Sequence, residues 1–343
     1  MRVEDVPSEP AIVAALRRLD LLSPVELPIL TALTGGVSSD IWRVDLPASS
    51  RRSARTVAAK RALPMLKVQA VWEAPVERSR FEAAWLETAA ELVPGLGPEL
   101  LGYDWELGVV VMDWLAPTDH PVWKAELRDG RADPLIARAL ADGLVRLHAA
   151  TADSPTIAAR FDSAHIFGPI RLEPYLDATG RAHPDLAGRF GELRSMVEAN
   201  PRVLVHGDVS PKNVLVGPHR PVLLDAECAT YSDPSFDVAF CLNHLLLKCV
   251  WNANAIDGYL ACFDAFAGSY LAGVTWEPRA EVEARAAALL PALLLARVDG
   301  KSPVEYLSDD QRALVRSSAR AMLLDPPGIT LQSIMERWRR CLP

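Results

Sequence analysis

The stretch Val205-His206-Gly207-Asp208-Val209-Ser210-Pro211-Lys212-Asn213 is the most informative segment of this 343-residue chain. Short apolar runs, Val203–Val205 and Val214–Val216, flank it and predict two strands joined by a tight loop. On such a loop, Asp208 and Asn213 are five residues apart and can direct their side chains to neighbouring positions. The structural alternative is a plain turn in which the asparagine only caps the chain.

A second acidic motif, Leu223-Leu224-Asp225-Ala226-Glu227, follows after one more predicted strand. Asp225 lies twelve residues beyond Asn213, at the end of the next hairpin. Its carboxylate can therefore bind the same metal ion as the side chain of Asn213. Phosphoryl transfer to an alcohol needs a carboxylate at the hydroxyl and oxygen ligands that hold Mg²⁺ on the phosphates. The two motifs together indicate such a site.

In spacing, both motifs resemble the protein-kinase pattern H-R-D-x-x-x-x-N followed by D-F-G. Gly207 after the histidine, and Ala226-Glu227 after the second aspartate, make the chain more similar to the aminoglycoside phosphotransferase family. The resemblance implies a protein-kinase-like fold and transfer of phosphate from ATP to a small molecule in the presence of Mg²⁺. Ser210 replaces the usual catalytic-loop lysine of protein kinases, and no A-P-E segment is found, so a regulated protein kinase is disfavoured.

The same resemblance assigns roles to individual residues. It makes Asp208 the catalytic base, with Asn213 and Asp225 as the magnesium ligands that complete the catalytic group. Glu227 is expected to be an auxiliary metal ligand or to support the ligands. Asp237, in a segment similar to the family's G-D-P-x-F-D-x-A, is expected to accept backbone N–H groups at a helix start and brace the loop.

The N-terminal part carries the expected nucleotide contacts. Glycines between two predicted strands allow close approach to phosphates, and the expected phosphate-covering residues are Gly35, Gly36 and Ser38. Lys60, in Val57-Ala58-Ala59-Lys60, resembles the family's phosphate-contacting lysine, with Lys67 as the alternative. Glu82 is the expected partner of Lys60. Three other glutamates on the same predicted helix remain alternatives: Glu77, Glu87 and Glu91.

The segment Val109-Val110-Val111-Met112-Asp113-Trp114-Leu115 resembles the hinge of the family, which pairs its backbone with adenine. The expected contacts in this segment are Met112, Asp113 and Leu115. A buried apolar strand is the alternative interpretation, and the two are compatible.

The predicted fold class is α+β, a protein-kinase-like two-lobed fold with a small β-rich N-lobe and a larger, mainly helical C-lobe. The expected division is 1–115 for nucleotide binding and 116–343 for catalysis and substrate binding. The net charge of −8, without clustered Lys or Arg, gives no indication of a nucleic-acid partner. No apolar run is long enough to cross a membrane, and five cysteines without a C-x-x-C pair suggest free thiols in the cytoplasm. The oligomeric state is left open.

The acceptor is expected to bind between the catalytic loop and the helices after residue 237. Its candidate polar contacts are Asn243, His244, Lys248 and Arg297. Glu227–Tyr231 and Ala296–Lys301 distantly resemble the methylthioribose kinase branch, which hints at a sugar-like hydroxyl. A non-catalytic nucleotide-binding module is the other alternative, and it predicts loss of catalytic residues that this chain retains.

Overall fold

The computed structural model describes residues 7–33, 39–48, 53–63, 75–326, 328 and 330–342. The chain divides into two compact units, Met1–Ala116 and Pro117–Pro343, called here the N-terminal and C-terminal units. The first contains a five-stranded antiparallel sheet and the second is mainly helical. The predicted α+β class, with a small β-rich part and a larger helical part, is confirmed.

The N-terminal unit is a five-stranded antiparallel sheet that packs against two helices. Its elements are α1 (Ser8–Arg18), β1 (Ile29–Leu33), β2 (Ser39–Leu46), β3 (Arg55–Ala62), α2 (Arg78–Leu92), β4 (Leu100–Asp104) and β5 (Val109–Asp113). The strand order is β1-β2-β3-β5-β4, so β3 is central. β-branched residues of three strands, Val44, Val57 and Val109, are fully buried and pack with Ile12 and Leu16 of α1. This core fixes the strand that carries Lys60.

The C-terminal unit is built from helices and two short hairpin-like sheets. Its helices are α3 (Trp123–Arg128), α4 (Pro134–Thr151), α5 (Pro155–Arg160), α6 (Ala164–Phe167), α7 (Ala178–Ala182), α8 (Ala187–Glu198), α9 (Ser235–Trp251), α10 (Ile256–Ala272), α11 (Arg279–Asp299), α12 (Asp309–Leu324) and α13 (Leu331–Arg339). Its strands are β6 (Val203–Val205), β7 (Val214–Val216), β8 (Pro221–Leu223) and β9 (Thr230–Ser232), with β6 pairing with β9 and β7 with β8.

Helix α9 is the central element of this unit. Every residue from Ser235 to Val250 is buried, and α9 packs against both α10 and α11. A helix that is apolar on all sides is stable only inside a protein, which explains this position. Asp133 followed by Pro134 is a typical helix start, and α4 begins there: the Asp133 carboxylate accepts a hydrogen bond from Leu135 N at 2.9 Å, and Pro134 is the first helical residue.

Residues 155–198 and β9 were not predicted as regular elements. The first region contains α5 to α8 and a π-helical segment, Gly168–Asp177, which includes Pro174. The pieces are short and lack a long apolar period, so no single helix can be inferred from their sequence. All five cysteines are free thiols, as expected. No helix among the described residues is long and apolar enough to span a membrane.

Candidate active site

The segment between β6 and β7 forms a tight, buried loop. It ends in a 3₁₀ turn, Pro211–Asn213, from which β7 continues directly. Gly207 has φ +78°, and a Cβ atom there would lie 2.7 Å from the carbonyl oxygen of Cys228. Only glycine fits both the backbone conformation and this close approach. The loop therefore holds Asp208 in one position.

The Asp208 carboxylate is buried, and cations contact one of its oxygens. Oδ2 accepts hydrogen bonds from Arg171 Nη2 at 2.8 Å and from Lys212 Nζ at 3.1 Å. Burial alone would raise the pKa of Asp208, but the charges of Lys212 and Arg171 outweigh it and lower the pKa well below its usual value. Oδ1 accepts no hydrogen bond from any described residue. The side chain is thus an ionised acceptor with one oxygen available.

Arg171 was not predicted as a site residue. It lies in the π-helical segment and is 7% exposed. Its Nε donates to the carbonyl oxygen of Gly207 at 2.6 Å, while Nη2 contacts Asp208. One guanidinium therefore neutralises the carboxylate and fixes the loop backbone beside it. The sequence contains no motif around Arg171, so only the tertiary structure reveals it.

The contact predicted for Asp237 is present. Its Oδ2 accepts from His206 N at 2.7 Å and its Oδ1 from Gly207 N at 2.8 Å. Asp237 lies in the first turn of α9 and is fully buried. His148 packs behind it, with Nε2 at 3.4 Å from Asp237 Oδ2 and Nδ1 at 2.6 Å from the hydroxyl of Tyr270. The carboxylate therefore satisfies two loop amides that have no other route to water.

The three candidate cation ligands offer oxygen atoms of different exposure. Asn213 Nδ2 donates to the Asp208 carbonyl oxygen at 3.2 Å, which leaves the amide oxygen of Asn213 for a cation. Asp225 has φ +68°, a conformation rare for residues with side chains, and its side chain is 22% exposed. Lys212 Nζ lies 3.7 Å from Asp225 Oδ2. Glu227 is 4% exposed, close to the 5% of Asn213, so burial does not separate a ligand role for Glu227 from a supporting one.

This donor set fits Mg²⁺ bound together with phosphates. Within the described ranges, no group of three or more His, Cys, Asp or Glu side chains could hold a metal ion by itself. Mg²⁺ is typically held by one or two carboxylates plus substrate phosphates and water, rather than by a complete protein cage. Asn213 and Asp225 are hard oxygen donors of that kind.

In the N-terminal unit, Lys60 and Glu82 form a buried ion pair. Lys60 Nζ lies 2.9 Å from both carboxylate oxygens of Glu82. The two residues are 6% and 2% exposed, whereas the three alternative glutamates of α2 and its start are exposed. The structure thus brings Glu82, and not its neighbours, to Lys60.

A family model described as "Phosphotransferase enzyme family" matches residues 29–268, which is more than half of the chain and includes both acidic motifs. The chain belongs to this phosphotransferase family. The expectation drawn from the motif spacing is thereby confirmed at the level of the family.

Several kinases are similar to this family member in sequence. The methylthioribose kinase of Yersinia enterocolitica is 27% identical over 238 residues, which cover 62% of this chain and 58% of that protein. Methylthioribose kinase 1 of Oryza sativa subsp. japonica is 27% identical over 222 residues, 57% of this chain and 51% of that protein. The chain therefore spans only about half the length of the relatives that it matches.

Solved structures of kinases share the fold. Choline kinase from Cryptosporidium parvum Iowa II has a TM-score of 0.56 at 10% identity, covering 96% of this chain and 100% of that one. The amicoumacin kinase hAmiN, in complex with AMP-PNP, Ca²⁺ and Ami, has a TM-score of 0.53 at 15% identity, covering 93% and 95%. These likenesses confirm the predicted protein-kinase-like fold.

Only some of the remaining residues expected to contact the nucleotide lie among the described residues. The glycine-rich candidates and the alternative lysine lie outside the described residues: Gly35, Gly36, Ser38 and Lys67. Met112 is buried at the end of β5, and the Asp113 carboxylate pairs with Arg55 at 2.6 Å. The N–H of Asp113 already donates to the carbonyl oxygen of Glu99 at 2.9 Å. The adenine of a bound nucleotide would therefore have to pair with other backbone groups of this segment, such as the N–H of Leu115.

Proposed function

We propose that this chain is an ATP- and Mg²⁺-dependent phosphotransferase that moves the γ-phosphate to a hydroxyl of a small molecule. The observation that carries the proposal is the state of Asp208, an ionised carboxylate with one open oxygen on a braced loop. Family membership and the kinase relatives support the same reaction.

Asp208 would accept a hydrogen bond from the acceptor hydroxyl through Oδ1. Because Lys212 and Arg171 hold its pKa low, the carboxylate is a weak base, and its main effect is to orient the hydroxyl for in-line attack. It takes the proton late, when the oxygen already bonds to phosphorus. Mg²⁺ held by Asn213 and Asp225 would neutralise charge on the phosphates.

Lys60, which lies in the N-terminal unit, would contact the phosphates of the nucleotide. Glu82 holds its ammonium in place through the buried pair, so the charge is preorganised before the nucleotide binds. On this proposal residues 1–115 bind the nucleotide and residues 116–343 provide catalysis and the acceptor site.

Two alternative functions predict different results. A sugar kinase of the methylthioribose kinase type is favoured by the sequence relatives. A non-catalytic nucleotide-binding module would retain Lys60 and Glu82 but would show no acceptor-dependent turnover.

The test is an ADP-release assay with purified protein, Mg²⁺ and ATP against neutral sugars, including methylthioribose, and against amino alcohols, aminoglycosides and anionic alcohols. We expect acceptor-dependent ADP release that is lost in Asp208→Asn. Nucleotide binding without release for any class of acceptor would favour the non-catalytic module, and absence of nucleotide binding would refute the proposal.

Replacing Lys60 with methionine is expected to lower kcat/KM for ATP by about 10²-fold, because a preorganised cation at the phosphates is lost. Steady-state kinetics with varied ATP measure this effect. Lys301→Met removes a surface lysine that pairs with Glu173 and serves as the matched control. Equal kinetics in the two variants would contradict the role of Lys60.

Replacing Asp225 with asparagine is expected to raise the Mg²⁺ concentration for half-maximal velocity by at least about tenfold, because a charged oxygen ligand becomes neutral. Velocity is measured across a Mg²⁺ series at fixed ATP. Asp257→Asn alters an aspartate whose side chain is 87% exposed and should leave the series unchanged. An unchanged Mg²⁺ requirement in Asp225→Asn would remove Asp225 from the ligand set.

A further inference from the structure

A small pocket with cationic walls lies beside the catalytic loop, entirely within the C-terminal unit. Its cavity volume is about 60 Å³, and Pro211 forms part of its lining. We call it the basic pocket, and the other residues that line it are Lys124, Lys212, His244, Lys248, Arg297, Glu305 and Tyr306. Three of the four polar residues expected at the acceptor site line it. The fourth, Asn243, is fully buried and its Nδ2 bonds to α9 backbone carbonyls instead.

Lys248 is the unusual residue of the basic pocket. It is 1% exposed on the last turn of α9, yet no carboxylate or hydrogen-bond acceptor among the described residues contacts its ammonium. A buried ammonium without a counter-charge is destabilising, because it loses its hydration and gains little in return. A structural role alone would be served as well by an uncharged side chain of similar length.

Aromatic rings hold this ammonium in place. Lys248 Nζ lies 4.0 Å from the ring centroid of Trp251 and 3.9 Å from that of Tyr306, and the two rings stack with centroids 4.2 Å apart. Aromatic faces of this kind otherwise attract cationic ligands. Here the chain's own ammonium already occupies them, which disfavours a cationic acceptor at this position.

The other charges of the pocket do not neutralise Lys248. Glu305 also lines the pocket, but it is hydrogen-bonded to Lys124. Lys212 is engaged with Asp208 and Asp225. Lys248 and Arg297 therefore have no carboxylate in direct contact among the described residues.

Arg297 and Tyr306 add hydrogen-bond donors to the positive charge. Arg297 Nη1 is anchored to the Tyr175 hydroxyl at 3.1 Å and to Ser302 Oγ at 3.0 Å, whereas its Nε is buried with no partner among the described residues. The buried hydroxyl of Tyr306 likewise has no partner in the part of the chain that is described. Buried donors of this kind need an acceptor.

We propose that the basic pocket binds an anionic group of the phosphate acceptor, a carboxylate or a phosphate, and that the substrate class is therefore an anionic alcohol. The inference rests on the proposed phosphotransferase function. It differs from the methylthioribose alternative, in which the acceptor is an uncharged sugar.

The position of Lys212 connects the anion site with the chemistry. Its side chain lines the basic pocket, while its Nζ is 3.1 Å from Asp208 Oδ2. An acceptor whose anionic group contacts Lys248 and Arg297 would thus extend past Lys212, and its hydroxyl would approach Asp208. Small acceptors suit the limited volume of the pocket.

The charge of Lys248 gives the site a pH dependence with a defined sign. Burial, assisted by the positive charges of Lys124 and Arg297 and opposed by Glu305, lowers the pKa of Lys248 to about 7. Burial also lowers the pKa of His244 well below its ordinary value, so this neighbour stays neutral. The ammonium is charged below about pH 7, so anion affinity is highest there and declines as the pH rises through that value.

The experiment is calorimetric titration of the whole 343-residue chain with four probes: D-glycerate, sn-glycerol 3-phosphate, glycerol and choline. We expect the two anions to bind and the neutral and cationic probes not to bind at equal concentration. Lys248→Met should weaken anion binding by at least about tenfold, since a buried interacting charge is lost. A preference for D-glycerate would identify a carboxylate site, and a preference for sn-glycerol 3-phosphate a phosphate site.

Three controls keep the result interpretable. Lys301→Met removes a lysine outside the pocket and should bind the anions like the wild type. Thermal unfolding of Lys248→Met should be unchanged or shifted upward, because the variant no longer buries a charge. If Lys248→Met does not fold, Lys124→Met, at a partly exposed position, replaces it.

A titration of D-glycerate at about pH 6 and about pH 8 should show tighter binding at the lower pH in the wild type and no difference in Lys248→Met.

Binding of choline or glycerol in preference to the anions, absence of anion binding, or undiminished anion binding in Lys248→Met would each overturn the inference. Because binding is measured without turnover, these outcomes are separate from failure of the phosphotransferase assay. Anion binding that depends on Lys248, with no ADP release from any acceptor, would retain the anion site and reject the proposed reaction.

Discussion

Asp208→Asn is expected to reduce kcat by about 10²–10⁴-fold, the usual range for a positioned acid–base group. The asparagine has the shape of the carboxylate but lacks its charge, so it neither orients the acceptor hydroxyl as strongly nor takes its proton. Arg171 and Lys212 would also lose their common partner. Single-turnover kinetics with saturating Mg²⁺ and ATP isolate this effect on the chemical step.

Binding of Mg²⁺ and nucleotide should be little changed in Asp208→Asn, because the proposed ligands of the cation are Asn213 and Asp225. Asp257→Asn, on the surface of α10, provides a variant with the same change of atoms. A turnover number near that of the wild type would exclude Asp208 as the catalytic carboxylate, whatever the state of the rest of the site.

Asp237→Ala is expected to have the largest effect on stability. The substitution leaves the buried N–H groups of His206 and Gly207 without acceptors. Each unsatisfied buried group costs about 1–3 kcal/mol, so the free energy of unfolding should fall by about 2–6 kcal/mol. Urea-induced unfolding followed by circular dichroism measures the change.

The conservative variant separates hydrogen bonding from other effects. Asp237→Asn retains one acceptor oxygen and should lie between the wild type and Asp237→Ala in stability. Asp257→Ala removes a carboxylate that forms only an exposed ion pair, which contributes about 0–1 kcal/mol. Similar stabilities for Asp237→Ala and Asp257→Ala would mean that the two hydrogen bonds from the loop amides to Asp237 do not stabilise the protein.

Much of this fold could be predicted because its signals are local. The apolar run of α9, the Asp133-Pro134 start of α4 and the strand that carries Lys60 each depend on neighbours in sequence. The catalytic loop is also compact in sequence, so its spacing was sufficient to indicate which side chains come together.

The missed features depend on long-range contacts instead. Arg171 reaches Asp208 from 37 residues away, out of a π-helical segment whose sequence has no regular period. The ring of Tyr306 meets Trp251 and Lys248 from another part of the chain. Nothing local in either region distinguishes an arginine or a tyrosine at these positions from one on the surface.

Helix α9 has a consequence for how new specificities arise in this chain. Asp237 and Lys248 are eleven residues apart on it, about 16 Å along the axis. The first turn of the helix holds the loop that carries Asp208, and the last turn carries the lysine that we propose selects the acceptor. On that proposal, mutations near the end of the helix would change which molecule is recognised and leave the loop at its beginning intact, so selectivity could evolve separately from catalysis.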